Sequence, residues 1–408
     1  MSAYYRNFRN SVPWLILFLE VVFLVLFWFS FSDDDTSGSS ISYPAFQDVN
    51  HMVVFGFGFF LVCLRRYGFS STGFNLLIVV VGVQCSVLLE DFLYFWVYNE
   101  HEDGLRRIAK ATISMTAVVI SAGAVLGKTN PVQLILMTVV EIIYFLLSRW
   151  TNRRFLEISE DKGMMHVHLF GAYFGLAVSS RFSEPSPMSE KNASTSKSDL
   201  FSMLGTLFLW VFWPSFNSLL ATHESRAIYN TYFALAVSAV TAFPLSVLTS
   251  KDGKFRMAHI HSAVLAGGVA VGSALDDIRH PWIAMILGLL ASMITILGSY
   301  CLQRCLNPAL KIHDTSGVHF TFGLPAVLGA LTHIILLVVE NWAELSRYIN
   351  SYLILTHVGA YCLTISVASI TGLITGLLIN LRLFKTIPVS KYFEDQFYWE
   401  VRKFQCKM

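Results

Sequence analysis

Twelve apolar stretches follow one another along this chain, each separated from the next by a short polar segment. Their bounds read 13–32, 47–64, 74–94, 112–127, 131–148, 164–180, 200–220, 229–249, 258–274, 281–301, 317–339 and 355–381. Runs such as PWLILFLEVVFLVLFWFSF (13–31) and PVQLILMTVVEIIYFLL (131–147) are long enough to cross a membrane as helices, since a hydrocarbon core is about 30 Å thick. Backbone polar groups in that core must be bonded internally, so the pattern predicts an all-α membrane protein of about twelve transmembrane helices. The first stretch carries aromatic residues and Glu20 and lacks a small-residue cleavage site, so it reads as a retained span rather than a signal peptide.

Composition agrees. The chain is 54% hydrophobic and 14% charged, with a mean hydropathy of +0.57, whereas a soluble globular chain carries about 25% charged residues. A net charge of +2 offers no electrostatic footprint for nucleic acid. The six cysteines (Cys63, Cys85, Cys301, Cys305, Cys362, Cys406) show no extracellular disulfide pattern. Cys63 lies beside Arg65 and Arg66 and is a candidate for palmitoylation, with a plain reduced thiol as the simpler reading.

An even number of spans places both termini on one side. The cytoplasm is the expected side, because most of the 29 Lys and Arg residues then face it. The outer loop 149–163, with Arg149, Arg153, Arg154 and Lys162, is the exception. The expected organisation is a cytoplasmic end and first helix (1–32), an extracellular acidic loop (33–46) and a core of eleven helices (47–381). A flexible cytoplasmic linker (181–199) divides that core, and a cytoplasmic tail (382–408) follows it. The sequon at Asn192 lies in this linker, where no glycan would be added. The aromatic, charged tail reads as a membrane-hugging end, with a docking surface as the alternative.

Two carboxylates precede spans at the same interval: Glu160 stands eight residues before His168, and Asp314 eight before Phe322. Transporters built from inverted repeats place the substrate path where the repeats meet, which makes these positions candidate symmetry mates. Ordinary helix capping produces the same pattern. The pairs His166/His168 and His259/His261 are two apart and so face different ways on a helix, which does not suit metal chelation. No nucleotide loop or nucleophile elbow occurs, and no enzyme is expected.

GAVLGKT (123–129), HLFGAYFGLAV (168–178), DLFSMLGTLFLWVFWPSFNS (199–218) and HDTSGVHFTFGLPAVLG (313–329) resemble the Rh glycoprotein and ammonium transporter family. HSAVLAGGVAVG (261–272) and YFEDQFYWEV (392–401) are similar to its Rh blood group branch, the D/CE-like members. The resemblance implies eleven core helices around a narrow pore, an added N-terminal helix, inverted repeats and trimers in the plasma membrane. It implies ammonium or ammonia as substrate, no metal or cofactor, and a red-cell setting. It also implies an Rh-associated glycoprotein as trimer partner and contact with the membrane skeleton through the tail.

In conducting members two histidines face each other along the pore, two stacked phenylalanines close the outer mouth, and an acidic residue supports each half. By this resemblance His168 matches the first histidine, but Phe322 stands where the second belongs. Phe216 matches the inner gate ring, and Ile113 replaces the outer one. Asp314 matches one supporting carboxylate, while Glu160, with Asp161 beside it, stands for the other. The expectation is a degenerate pore in a structural subunit, with a working ammonia or carbon dioxide channel as the alternative. His168 reads equally well as a satisfied core histidine.

Overall fold

The computed structural model describes residues 3–30, 41–98, 103–185, 190–302, 312–341, 347–384 and 386–400. The acidic run Asp33–Asp35, Cys305, Cys406 and part of the linker lie outside these residues. Helix α1 spans Ala3–Ser30. Helix α2 (Tyr43–His51) widens through a π turn, Met52–Gly56, into α3 (Phe57–Phe60). There follow α4 (Gly68–Tyr98), α5 (Gly104–Ala124), α6 (Pro131–Leu156), the short α7 (Glu160–Met164) and α8 (Val167–Ser179). The second half comprises α9 (Ser196–Ser218), α10 (Glu224–Thr249), α11 (Met257–Gly272) and α12 (Pro281–Leu297). A π turn, Gly298–Leu302, ends α12, a further one, His319–Gly323, leads into α13 (Leu324–Asn341), and α14 is Arg347–Ile379. Counting α2 and α3 as one pass and setting α7 aside, the helices make the expected twelve passes.

Local sequence sets the helix ends. Asn130 and Gln133 form a reciprocal capping box at the start of α6, with Pro131 in its first turn. Arg153 and Arg154 occupy its last turn, where the helix dipole favours cations, and Glu157 stops it in a left-handed conformation. Thr195 and Ser198 repeat the capping box on α9.

Among the described residues, eight helices are long and apolar enough to cross a membrane by length and composition. Along α1 the side chains of Trp14, Phe18, Leu24 and Trp28 are exposed, as a bilayer-facing helix requires. Its Glu20 accepts a hydrogen bond from Gln84 of α4 at 3.2 Å, which removes an unpaired carboxylate from that face. Helices cross closely where glycines remove side chains. A Cβ on Gly372 would stand 2.6 Å from the Phe174 carbonyl oxygen, and one on Gly376 3.0 Å from that of Val178. The GLITG stretch of α14 is therefore the seam against α8.

The two ends of the bundle differ. At one, the loop end, gather residues 149–163, the starts of α5 and α8, and the α11–α12 connection. At the other, the tail end, residues 386–400 fold back onto the core. The Asp395 carboxylate accepts the Phe69 and Ser70 amides at 3.0 and 2.8 Å and so caps α4. The Trp399 indole donates to Ser70 Oγ at 3.0 Å, and Glu394 pairs with Lys191 at 2.6 Å. This described part of the tail is a strap on the protein rather than a membrane-hugging end, because its acid and indole find partners at the α4 N-terminus. Asn192 is also folded in, within 2.9 Å of His313 Nε2.

Candidate functional site

Helix α5 packs along α8, and α11 packs along α13, so the two halves present matching helix pairs to a common axis. His168, on the first turn of α8, lies on that axis and is 1% exposed. Its ring stacks on Trp213 of α9 with centroids 5.6 Å apart and meets Phe216 edge-on at 5.7 Å. On its other side lies Phe322, nearly parallel at 6.4 Å. The π turn that carries Phe322 places it also against Phe57 at 5.8 Å and Phe60 at 6.0 Å. Phe60 in turn meets His261 of α11 at 5.2 Å. The axis is thus a continuous column of rings, from Phe216 through His168 and Phe322 to Phe60.

Within that column two polar atoms have no partner, His168 Nε2 and Trp213 Nε1. A buried nitrogen without a hydrogen bond costs free energy, about 1–3 kcal/mol when a partner is missing. Ile113 and Phe216 are both fully buried, on α5 and α9 respectively. A cavity of about 450 Å³ opens at the tail end, lined among others by Cys63, Asp199, His259, His261 and Asp314. His259 and His261 thus border one cavity although they stand two apart on α11, and the Cys63 thiol belongs to that interior lining. At the loop end a cleft of only about 10 Å³ lies over Asn217, bounded by Asp161, Lys162, Ser273 and Asp276.

The carboxylates settle in dissimilar places. Asp314 accepts the amides of Gly317, Val318 and His319 at 2.9–3.0 Å, capping the turn that positions Phe322. Burial raises its carboxyl, opposed by those amides and by the nearby Lys128 charge. Glu160 lies off the axis, facing Lys110 at 2.5 Å, Arg106 at 3.5 Å, and Arg149 and Arg153 each at 3.7 Å. Burial alone would raise the Glu160 carboxyl, but Lys110, Arg149 and Arg153 hold it down to about 2. Asp161 faces Asp276, whose carboxyl is raised first by burial and then by that neighbouring acid. His313 and His319 have packing roles: His313 lies against Phe393, and His319 against Tyr173 and Phe320.

Phe57, Phe60 and Trp213 belong to the column although the sequence does not single them out, and His261, weighed there only as a chelating partner of His259, stands at its end. The alternation of glycine and phenylalanine in FGFGFF (55–60) was the available signal for the first two. His166 belongs elsewhere: its Nδ1 is 2.9 Å from Thr364 Oγ1, and its ring faces Tyr361. Nearby, His333 Nδ1 meets Asp277, while His333 Nε2 lies 3.1 Å from His357 Nδ1.

This ring-filled axis between two matching helix sets has counterparts. The profile described as the Ammonium Transporter Family matches residues 13–397. The chain belongs to the ammonium transporter family. Within that family it is 42% identical over 409 residues to an RH-like protein of Macaca mulatta, covering 98% of each. It is also 42% identical to the blood group Rh(D) polypeptide of Rattus norvegicus and 40% identical to the human blood group Rh(CE) polypeptide, again with 98% of each chain covered. Among solved structures, Nitrosomonas europaea Rh50, described as one of the Rhesus protein family of channels, superposes with a TM-score of 0.74 at 30% identity. That match covers 88% of this chain and 91% of the other. Saccharomyces cerevisiae Mep2, at 15% identity and a TM-score of 0.64, shares the fold. The transporter fold and the Rh-type character are therefore established.

Proposed function

We propose that this chain is a structural member of an Rh-type membrane assembly whose own ammonia pore is closed. The carrying observation is Phe322, wedged between His168 and the Phe57/Phe60 pair, with His168 Nε2 left unpartnered. Ammonium is costly to desolvate, so a conducting lumen must pass neutral ammonia between hydrogen-bonding groups. A phenyl ring at 322 supplies no lone pair and fills the step beside the His168 imidazole. Ile113 in place of a gate ring fits a mouth no longer selected for ion exclusion.

The rest of this reading is a plasma-membrane trimer, homomeric or shared with an Rh-associated glycoprotein, with both termini in the cytoplasm and the tail near the membrane skeleton. The red cell is its expected setting. Ammonia-driven pH change in vesicles holding the purified chain tests the closed pore. Flux equal to protein-free vesicles is expected. Flux clearly above them favours a working channel, the reading to which retained His168, Phe216 and Asp314 lend support. Isolation from native membranes as a lone homotrimer, with no second Rh chain, counts against the shared assembly.

A further inference from the structure

Away from the axis, a cavity of about 320 Å³ opens at the loop end between α4, α6 and the α6–α8 connection. Its floor is ionic and internally matched. Lys110 and Arg149 lie against Glu90 at 3.7 and 2.9 Å, and both reach Glu160. Lys110 and Glu90 are buried, so this floor is rigid and desolvated. One wall is apolar, formed by Leu93, Leu146 and Trp150. Asn152 also lines the cavity; it is 1% exposed, and its Oδ1 has no partner.

The rim differs from the floor. Arg154 and Glu157, three residues apart at the end of α6, line the cavity and are exposed, and among the described residues neither forms an ion pair or side-chain hydrogen bond. The left-handed backbone of Glu157 turns the chain there, and it lines the same cavity as Arg153 and Arg154. Next to the apolar wall, the adjoining surfaces of α4 and α6 are exposed and hydrophobic: Phe92, Ile143, Leu147 and Phe155. A charged rim beside an exposed apolar face is the chemistry that suits the level where a bilayer's headgroups meet its hydrocarbon.

We propose that this cavity binds the headgroup of a zwitterionic phospholipid from the leaflet at the loop end. The phosphate lies on the guanidinium groups of Arg153 and Arg154, a planar donor set suited to phosphate oxygens. The lipid ammonium lies toward Glu157, with the unpartnered Asn152 oxygen as a further acceptor within the cavity. The acyl chains run along the apolar faces of α4 and α6. A soluble phosphate would use the same arginines, but it would leave the apolar wall and the free carboxylate without purpose. The site lies outside the ring column and does not depend on whether that column conducts.

The test uses the full chain, delipidated in detergent, with thermal unfolding followed during titration with phosphatidylethanolamine. Stabilisation by this lipid is expected. Arg154→Glu should weaken the apparent affinity about tenfold, the value of one lost charge-assisted contact. Glu157→Arg should weaken it as well, and the doubly swapped Arg154→Glu/Glu157→Arg protein should recover part of the loss. Both positions are exposed, so the variants should fold, and unliganded melting temperatures near wild type verify this. Equal stabilisation by diacylglycerol would show that the headgroup is not recognised. Equal stabilisation by inorganic phosphate or by glycerophosphoethanolamine would overturn the lipid source. Unchanged affinity in the single variants would overturn the site itself.

Discussion

Replacing Phe322 by histidine returns a second imidazole to the axis, facing His168. The two rings now lie nearly parallel at 6.4 Å, so a histidine at 322 would hold its ring nitrogens within one small molecule of His168. A solute crossing the present column loses its water without gaining a partner beside the phenyl ring. Each missing hydrogen bond in such a site costs about 1–3 kcal/mol. Every 1.36 kcal/mol removed from a barrier is a tenfold rate gain, so flux is expected to rise about 5- to 150-fold. The substitution also gives up ring contacts with Phe57 and Phe60, at 5.8 and 6.0 Å, and buries a polar ring among them. A stability loss of about 1–3 kcal/mol follows. The assay is ammonia-driven alkalinisation of vesicles, with wild type, Phe322→His and empty vesicles in parallel at matched protein density. Folding is verified by a cooperative thermal transition. A folded Phe322→His protein that stays at the empty-vesicle rate refutes the assignment of the block to this ring. A wild type that already conducts refutes it from the other side.

Three further outcomes are expected. Lys128 lies in the α5–α6 turn, 1% exposed, donating to Ser179 Oγ at 2.7 Å and to the His313 carbonyl at 2.5 Å. Burial lowers its amine to about 7, against the raising pull of Asp314 and Glu184. The unfolded chain therefore holds the extra proton between pH 7 and 10.5, and stability should rise with pH across that window by up to about 1.4 kcal/mol per unit. Lys128→Met should flatten this slope in thermal melts, and equal slopes would contradict the argument. Asp314→Ala removes the acceptor of three amides and should cost about 1–2 kcal/mol by thermal unfolding, with Asp314→Asn in between. Asp395→Ala uncaps α4, so trypsin should cut at Lys391 faster than in wild type while the rest of the bundle stays resistant.

Helix number and order were legible because a membrane helix announces itself by length and apolarity alone. Among the described residues eight helices pass that test on the folded chain, and the remaining passes still show as apolar runs in the sequence. Helix α8 is apolar throughout but, at 13 residues, too short for that test, and the α2–α3 pass is broken by its π turn. His168, Phe216 and Phe322 were identified from long motifs and do come together. Phe57 and Phe60 were missed because their contact with Phe322 spans more than 250 residues of sequence, and no local pattern encodes it. The strap was misjudged for the same reason: an acid and an indole on a tail look like surface chemistry until the bare amides at the start of α4 are brought to them.

The equal spacing of Glu160 and Asp314 before their helices suggests symmetric roles, yet their surroundings differ in kind. Asp314 turns inward, and its carboxylate is consumed by three backbone amides, so it orients the turn bearing Phe322 whatever ring stands there. Glu160 turns away from α8 because Lys110, Arg106, Arg149 and Arg153 surround it, and a carboxylate held by several cations gains more than one capping bond offers. Asp161 cannot take over, since it faces another carboxyl, Asp276, rather than the first amides of α8. The two halves thus differ at the carboxylate as well as at the histidine. Restoring the imidazole at 322 repairs one of these asymmetries and leaves the other. Phe322→His should therefore gain measurable flux while remaining slower than Phe322→His combined with Glu160→Asp, whose shorter side chain withdraws from Arg106 and Arg153 toward the helix start. If the double variant is no faster, the loop-end carboxylate has no part in setting the barrier, and the ring column alone determines it.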